Sequence, residues 1–160
     1  MLRPGRRLAV DVGQARVGLA VTDIHAILAS PLATVSRLES TTDSVDSVIG
    51  AISEVGEILE IYVGVPINLQ GKSTLSTDDA LTFAVSLQEA SGLEVRLIDE
   101  RLTTSLANNQ LKQIGKSQKD ARPTIDQMAA VAILEFALSV EKNTGLAPGL
   151  GIQEWKERNE

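Results

Sequence analysis

The spacing of apolar residues changes character once along this 160-residue sequence, and that change limits the folds open to it. Three short apolar runs come first, at 8–10, 17–21 and 32–35, and only the turn Gly13-Gln14-Ala15-Arg16 separates the first two. Connections this short suit antiparallel neighbours, so the opening predicts a β-meander. From the Ser/Thr/Asp-rich stretch near Thr41 the pattern turns helical. Val45, Val48, Ile49, Ile52 and Val55 recur at helical spacing, and a continuous apolar strand follows at 58–65. Ala80, Phe83, Ala84 and Leu87 mark a second helix ending near Gly92. After it come a strand at 95–98, a helix at 106–114 closed by Gly115, and a last long helix at 125–140. A meander followed by alternating helices and strands predicts an α/β fold, a mixed five-stranded sheet with helices on both faces. With 43% hydrophobic residues the sequence can bury the core of one such domain, assigned to 1–142. Residues 143–160 open by breaking the helical pattern with glycine and proline and read as a mobile tail.

Three carboxylates interrupt the apolar frame. Asp11 ends one strand-like run, Glu100 ends another, and Asp126 opens the last apolar helix. Each has an ordinary explanation. Asp11 suits a hairpin turn, and Glu100 suits a salt bridge before a helix cap. Asp126 suits the first turn of a helix behind Thr124, with Gln127 completing a capping box. Yet Ala129, Ala130, Ile133 and Ala137 follow Asp126 at spacings of three, four, seven and eleven, which sets the acid on the buried stripe. Helix-dipole stabilisation of roughly 0.3–1 kcal/mol is small beside the several kcal/mol that a buried unpaired charge costs. Strand alternation sends Asp99 and Glu100 to opposite faces, so one of the two, taken as Glu100, is expected to join Asp11. If folding brings the three acids together, they must be protonated, hydrated or bridged by a divalent cation.

Candidate phosphate contacts surround these acids. Arg16 leaves the first turn, and Arg101 follows Glu100. Thr103 stands where a helix cap or a substrate contact would sit. Asn68 and Lys72 lie in the loop that leaves strand 58–65, at the edge where α/β proteins place ligands. Lys112, Lys116, Lys119 and Arg122 form a basic stretch leading to Asp126, although the overall net charge is −6. A solvated surface loop is the ordinary meaning of such a stretch. The four aromatic residues offer no stacking platform, so contact with nucleic acid would run through backbone and shape. Absence of cysteine removes disulfides and thiolate zinc sites, and the single histidine, His25, follows Asp23 in a turn-like stretch and reads as structural. No apolar run approaches the roughly 20 residues of a membrane span, so the expected location is cytoplasmic.

Four blocks together carry a resemblance. They are Asp11-Val12-Gly13 with Arg16-Val17-Gly18-Leu19-Ala20-Val21-Thr22-Asp23, Val63-Gly64-Val65-Pro66-Ile67-Asn68, Asp99-Glu100-Arg101-Leu102-Thr103-Thr104, and Ile125-Asp126-Gln127-Met128-Ala129-Ala130. In this order and spacing the sequence, over about 6–140, resembles the YqgF family, also called RuvX, of ribonuclease H-like nucleases and Holliday junction resolvases. The resemblance implies a ribonuclease H-like fold. It also implies Asp11, Glu100 and Asp126 as catalytic metal ligands for two Mg²⁺ or Mn²⁺ ions, poorly occupied without substrate, that activate water and stabilise the leaving oxygen. The implied substrate is nucleic acid, with two roles linked to the family. One is maturation of the 5′ end of pre-16S rRNA, to which this reading leans, and the other is resolution of branched DNA. A non-cleaving RNA-binding factor, acting with a ribosome-assembly partner, is the alternative. End-trimming suits a monomer, and a symmetric junction calls for a dimer.

Overall fold

The computed structural model describes residues 2–103 and 122–159, the side chains of 122–124 excepted. β1 (Arg6–Val12), β2 (Arg16–Thr22) and β3 (Ala29–Ser36) form the expected meander, each antiparallel to the next. α1 (Thr41–Ile52) leads to β4 (Ile58–Val65), which returns parallel to β1. α2 (Leu75–Ser91) then leads to β5 (Glu94–Asp99), parallel to β4. A short 3₁₀ turn, Glu100–Leu102, follows, and α3 (Arg122–Thr144) is the long helix. With β6 (Leu150–Gly151) at one edge, the strand order β3-β2-β1-β4-β5-β6 puts β1 and β4 at the centre of the sheet.

Local chemistry fixes the element ends. The Ser40 hydroxyl accepts from the Asp43 amide at 3.0 Å to start α1. Thr74 and Thr77 make a reciprocal capping box at the start of α2, and Gly92, at φ 70°, closes that helix in the left-handed conformation. The helix expected at 106–114 lies outside the described residues.

Side-chain alternation divides the sheet into two faces. Leu8, Val10, Val17, Leu19, Ile61, Val63, Val95 and Leu97 pack with α1 and α2. The other face carries Ala9, Ala20, Tyr62 and Ile98 against Ala130, Ile133, Leu134 and Ala137 of α3. Full burial of each large aliphatic side chain contributes roughly 1.5–3 kcal/mol. Small residues on the second face let α3 lie close to the sheet, and α3 is the element that carries Asp126.

Two expectations need correction. The sheet has six strands because Leu150–Gly151 forms β6, antiparallel to β5 at Arg96 and Leu97. The segment read as a mobile tail then continues as α4 (Ile152–Arg158), whose Trp155 is buried in the core. Its glycine and proline serve close packing. Gly149 sits at φ +68°, where an added Cβ would collide with the Leu97 carbonyl, and Arg96 donates to the carbonyls of Pro148 at 2.9 Å and Gly149 at 2.8 Å.

A buried ionic network, absent from the sequence reading, locks the N-terminal end of β1 under α3. Arg7, fully buried, donates to Glu141 at 3.1 and 3.2 Å and to the Tyr62 hydroxyl oxygen at 3.0 Å. Tyr62 donates to Glu60 at 3.0 Å, and Arg3 bridges Glu60 at 2.8 Å and Glu141 at 2.6 Å. Burial alone would raise the Glu141 carboxyl, but the hydrogen bonds from Arg3 and Arg7 hold it at about 2.

Candidate active site

Asp11 occupies the C-terminal end of β1, on the face that α3 covers. Its neighbour across the β1–β2 pair is Gly18, and Gly64 follows Val63, the β4 partner of Val10. Both glycines clear space beside the acid. A Cβ at Gly18 would run into the Asp126 carbonyl, and one at Gly64 would stand 2.7 Å from Glu100 Oε1 and 2.6 Å from Ile133 Cδ1. The start of α3 and the Glu100 side chain therefore reach Asp11 from opposite sides because two strand positions lack side chains. The sequence carries this signal as glycine within β-branched runs, but glycine alone does not say what approaches it.

Glu100 is placed by the end of β5. Asp99 is the last strand residue, and its carboxylate accepts from the Arg101 amide at 2.9 Å. Glu100 then begins the 3₁₀ turn, which Thr103 closes by donating its amide at 3.0 Å and its hydroxyl at 3.2 Å to the Glu100 carbonyl. Thr103 is buried and acts as a cap here. As the alternation predicts, Asp99 and Glu100 part. Asp99 pairs with Arg101 at 2.6 Å, and Glu100 hydrogen-bonds Asp11.

A carboxylate–carboxylate hydrogen bond requires a proton. Burial raises both acids. Glu100 is pushed up to about 8, first by burial and then by the Asp11 charge and the shared hydrogen bond. Asp11 is raised by burial and by the charge of Asp126, while its bond to Glu100 works the other way. At neutral pH the pair holds one proton between two oxygens.

Asp126 completes the group from α3. The helix begins at Arg122, so Asp126 lies beyond its first turn, and the capping-box explanation fails. Gln127 instead donates to the Thr34 hydroxyl on β3 at 3.1 Å. The Asp126 carboxylate accepts from Arg16 Nε at 2.7 Å, with the two side chains 22% and 35% exposed. Among the described residues, no three acidic or imidazole groups already stand in a metal-holding cluster. Asp11 and Glu100 touch each other, and Asp126 faces Arg16.

The turn bearing Arg16 is pinned from behind. Gly13 donates its amide to the Arg16 carbonyl at 2.9 Å, and Arg37 donates its own amide to the Ala15 carbonyl at 2.9 Å. The Arg37 guanidinium reaches the Gly13 carbonyl at 3.0 Å and grips Asp79 of α2 at 2.8 and 3.0 Å, lying 5.5 Å from the Phe83 ring centre. The sequence reading did not single out Arg37, whose partner Asp79 lies on α2, beyond α1 and β4.

Of the other candidate contacts, Asn68 and Lys72 follow the C-terminal end of β4, and Arg101 follows that of β5. Asn68 uses its carboxamide oxygen to hold its own loop, accepting from Gln70 at 3.1 Å and Lys72 at 2.9 Å. Lys72 is exposed, and Arg101 lies against Gly71 of that loop. Lys112, Lys116 and Lys119 fall outside the described residues, as does the side chain of Arg122. His25 sits in an exposed turn, its amide donating to Asp23.

A family model described as RuvX, Holliday junction resolvase, matches residues 5–140. A protein of Clavibacter michiganensis subsp. michiganensis, provisionally named a pre-16S rRNA nuclease, is 44% identical over 148 residues, covering 92% of this chain and 91% of its own. A Leifsonia xyli protein of the same provisional name is 42% identical, covering 92% and 94%. Among solved structures, Thermus thermophilus RuvC in complex with a Holliday junction substrate superimposes with a TM-score of 0.55 at 15% identity, covering 91% of this chain and 99% of that one. That likeness is one of fold, the ribonuclease H-like arrangement of a mixed sheet between helices.

Proposed function

This chain belongs to the RuvX family, and from that membership we propose that it is a metal-dependent nuclease that hydrolyses phosphodiester bonds in structured nucleic acid, with the 5′ end of pre-16S rRNA as its principal substrate. The observation that carries the reading is the Asp11–Glu100 pair. Two carboxylates forced together by burial, with a third acid on the adjoining helix, are costly to hold for stability alone.

The donor set fits a hard divalent cation. Every donor is a carboxylate oxygen, and a divalent cation held by Asp11, Glu100 and Asp126 would offset the repulsion that the shared proton now relieves. Asp11, Glu100 and Asp126 are assigned as the catalytic and metal-holding residues. When bound there, Mg²⁺ or Mn²⁺ supplies Lewis-acid activation of water and charge stabilisation at the scissile phosphate. Asp11, fixed between two glycines on the central strand, sets the floor of the site. Glu100 must give up its proton to act as a ligand, so the site works best as pH rises toward 8. Arg16, Lys72 and Arg101 offer positive charge to phosphates along the rim, and Asn68 shapes the loop that presents Lys72.

The provisional names of the relatives favour RNA, and the family description carries the second reading, resolution of a four-way DNA junction. End-trimming needs one site and suits a monomer in the cytoplasm. Paired cuts need two sites, hence a dimer. No helix among the described residues is long and apolar enough to cross a membrane.

End-labelled pre-16S rRNA and a mobile four-way DNA junction, incubated side by side with Mg²⁺, Mn²⁺ or EDTA, test the proposal. Metal-dependent cuts in the RNA that vanish in Asp11→Asn and Glu100→Gln are expected. Cuts confined to the junction would transfer the function to DNA. Binding without cleavage on either substrate would favour a non-cleaving RNA-binding factor that works with a ribosome-assembly partner.

A further inference from the structure

Resting on the metal-site reading above, we propose that Arg16 is a placeholder cation. Its guanidinium neutralises Asp126 in the metal-free protein and must leave before Asp126 can join Asp11 and Glu100 around a divalent ion. Loading of the metal and release of Arg16 toward the substrate phosphate are then one exchange.

Three features of the contact fit a pair built to part. First, Arg16 meets Asp126 through a single hydrogen bond from Nε at 2.7 Å. The buried Arg7–Glu141 pair uses two bonds and Arg37–Asp79 two more. Second, Arg16 is 35% exposed, so its guanidinium can swing into water without leaving a buried orphan charge. Third, the backbones on both sides are held. The turn is tied by Gly13 and Arg37, and Asp126 sits with its carbonyl hard against Gly18. The exchange is therefore confined to two side chains.

Electrostatics sets its direction. Asp126 lies against Gly18, the cross-strand neighbour of Asp11, so the third acid adds to the repulsion within the Asp11–Glu100 pair. Arg16 relieves this in the absence of metal. A phosphate arriving at the rim offers Arg16 a second anion, which frees Asp126 and strengthens metal binding. By linkage, metal must strengthen phosphate binding by the same factor.

Binding of Mn²⁺ alone to the full chain, read from the electron paramagnetic resonance signal of the free ion, tests the proposal. Arg16→Ala is expected to bind Mn²⁺ up to about fivefold more tightly than wild type, the factor that an exposed ion pair of roughly 1 kcal/mol represents. Arg16→Gln, which keeps the stem and removes the charge, should gain as much, and Arg16→Lys should fall back toward wild type. The gain must disappear in an Asp126→Asn background, because the effect runs through that carboxylate. Unchanged or weaker binding in both neutral variants would overturn the proposal, as would a gain that survives Asp126→Asn and so reflects only long-range charge. Asp11→Asn separates the two levels. If it loses Mn²⁺ while Arg16→Ala gains nothing, the exchange alone is wrong; if it binds like wild type, the metal site is wrong and the exchange falls with it.

Discussion

β1 carries two groups of charge on one face, four residues apart, and they are organised in opposite ways. At its N-terminal end Arg7 belongs to a network of two arginines, Arg3 and Arg7, and two acids, Glu60 and Glu141, whose formal charges cancel. At its C-terminal end Asp11 meets Glu100 and lies near Asp126, and Arg16 is the cation paired there. Both ends lie under the same helix. The balanced end lowers the pKa of its acid, Glu141, and the unbalanced end raises the pKa values of Asp11 and Glu100. Charge complementarity at one end anchors α3 to the sheet, whereas at the other the described residues gather three acids against one arginine.

The largest break in this contrast comes from the anchoring end. Arg7→Ala leaves Glu141 buried with only the partly exposed Arg3, and should cost about 3–5 kcal/mol in urea unfolding. Asp11→Asn should cost little or nothing by the same measure, since it removes repulsion. Equal losses at the two ends would erase the distinction. Next in size is Gly18→Ala, whose new methyl collides with the Asp126 carbonyl. A loss of about 1–3 kcal/mol is expected, with cleavage reduced beyond what that loss explains because Asp126 is displaced.

Stability against pH sharpens the comparison, because the two ends slope in opposite directions. Glu100 has a folded pKa of about 8 against an ordinary 4.5. Its contribution is thus fully present below about 4.5 and is lost as pH climbs to about 8. Glu141 is held at about 2, so its contribution is present above about 4.5 and is lost as pH falls toward 2. Without metal, Glu100→Gln should flatten the alkaline side of the stability curve and Glu141→Gln the acid side. The smallest effect belongs to the rim. Lys72→Ala should weaken RNA binding modestly and reduce the salt slope by at most about 1, the share of one phosphate contact.

Much of this was legible in the sequence where the signal is local. The run Ile58–Val65 is apolar apart from Glu60 because β4 is a central strand between two helical layers, and its limits are those found. The change of period at Thr41 marks the end of the meander for the same kind of reason. Asp126 stood out because the apolar residues spaced after it set the acid on the buried stripe of the helix, although its side chain keeps 22% exposure in the structure. Signals that depend on distant partners were not legible. Arg7 looks like an exposed strand start until Glu141, 134 residues later, comes to lie beside it. β6 is two residues long and follows a glycine–proline stretch, so no periodicity could reveal it, and the partners it needs are Arg96 and Leu97. The charge on Arg16 is visible in the sequence, but its choice of Asp126 is made by folding.

The most direct test is an anomalous difference map from crystals of the protein soaked in Mn²⁺. Density bounded by Asp11 and Glu100 is expected, with Asp126 turned toward it and its bond to Arg16 broken. Saturating Mn²⁺ that leaves Asp11 and Glu100 hydrogen-bonded to each other, with density only elsewhere, would contradict it.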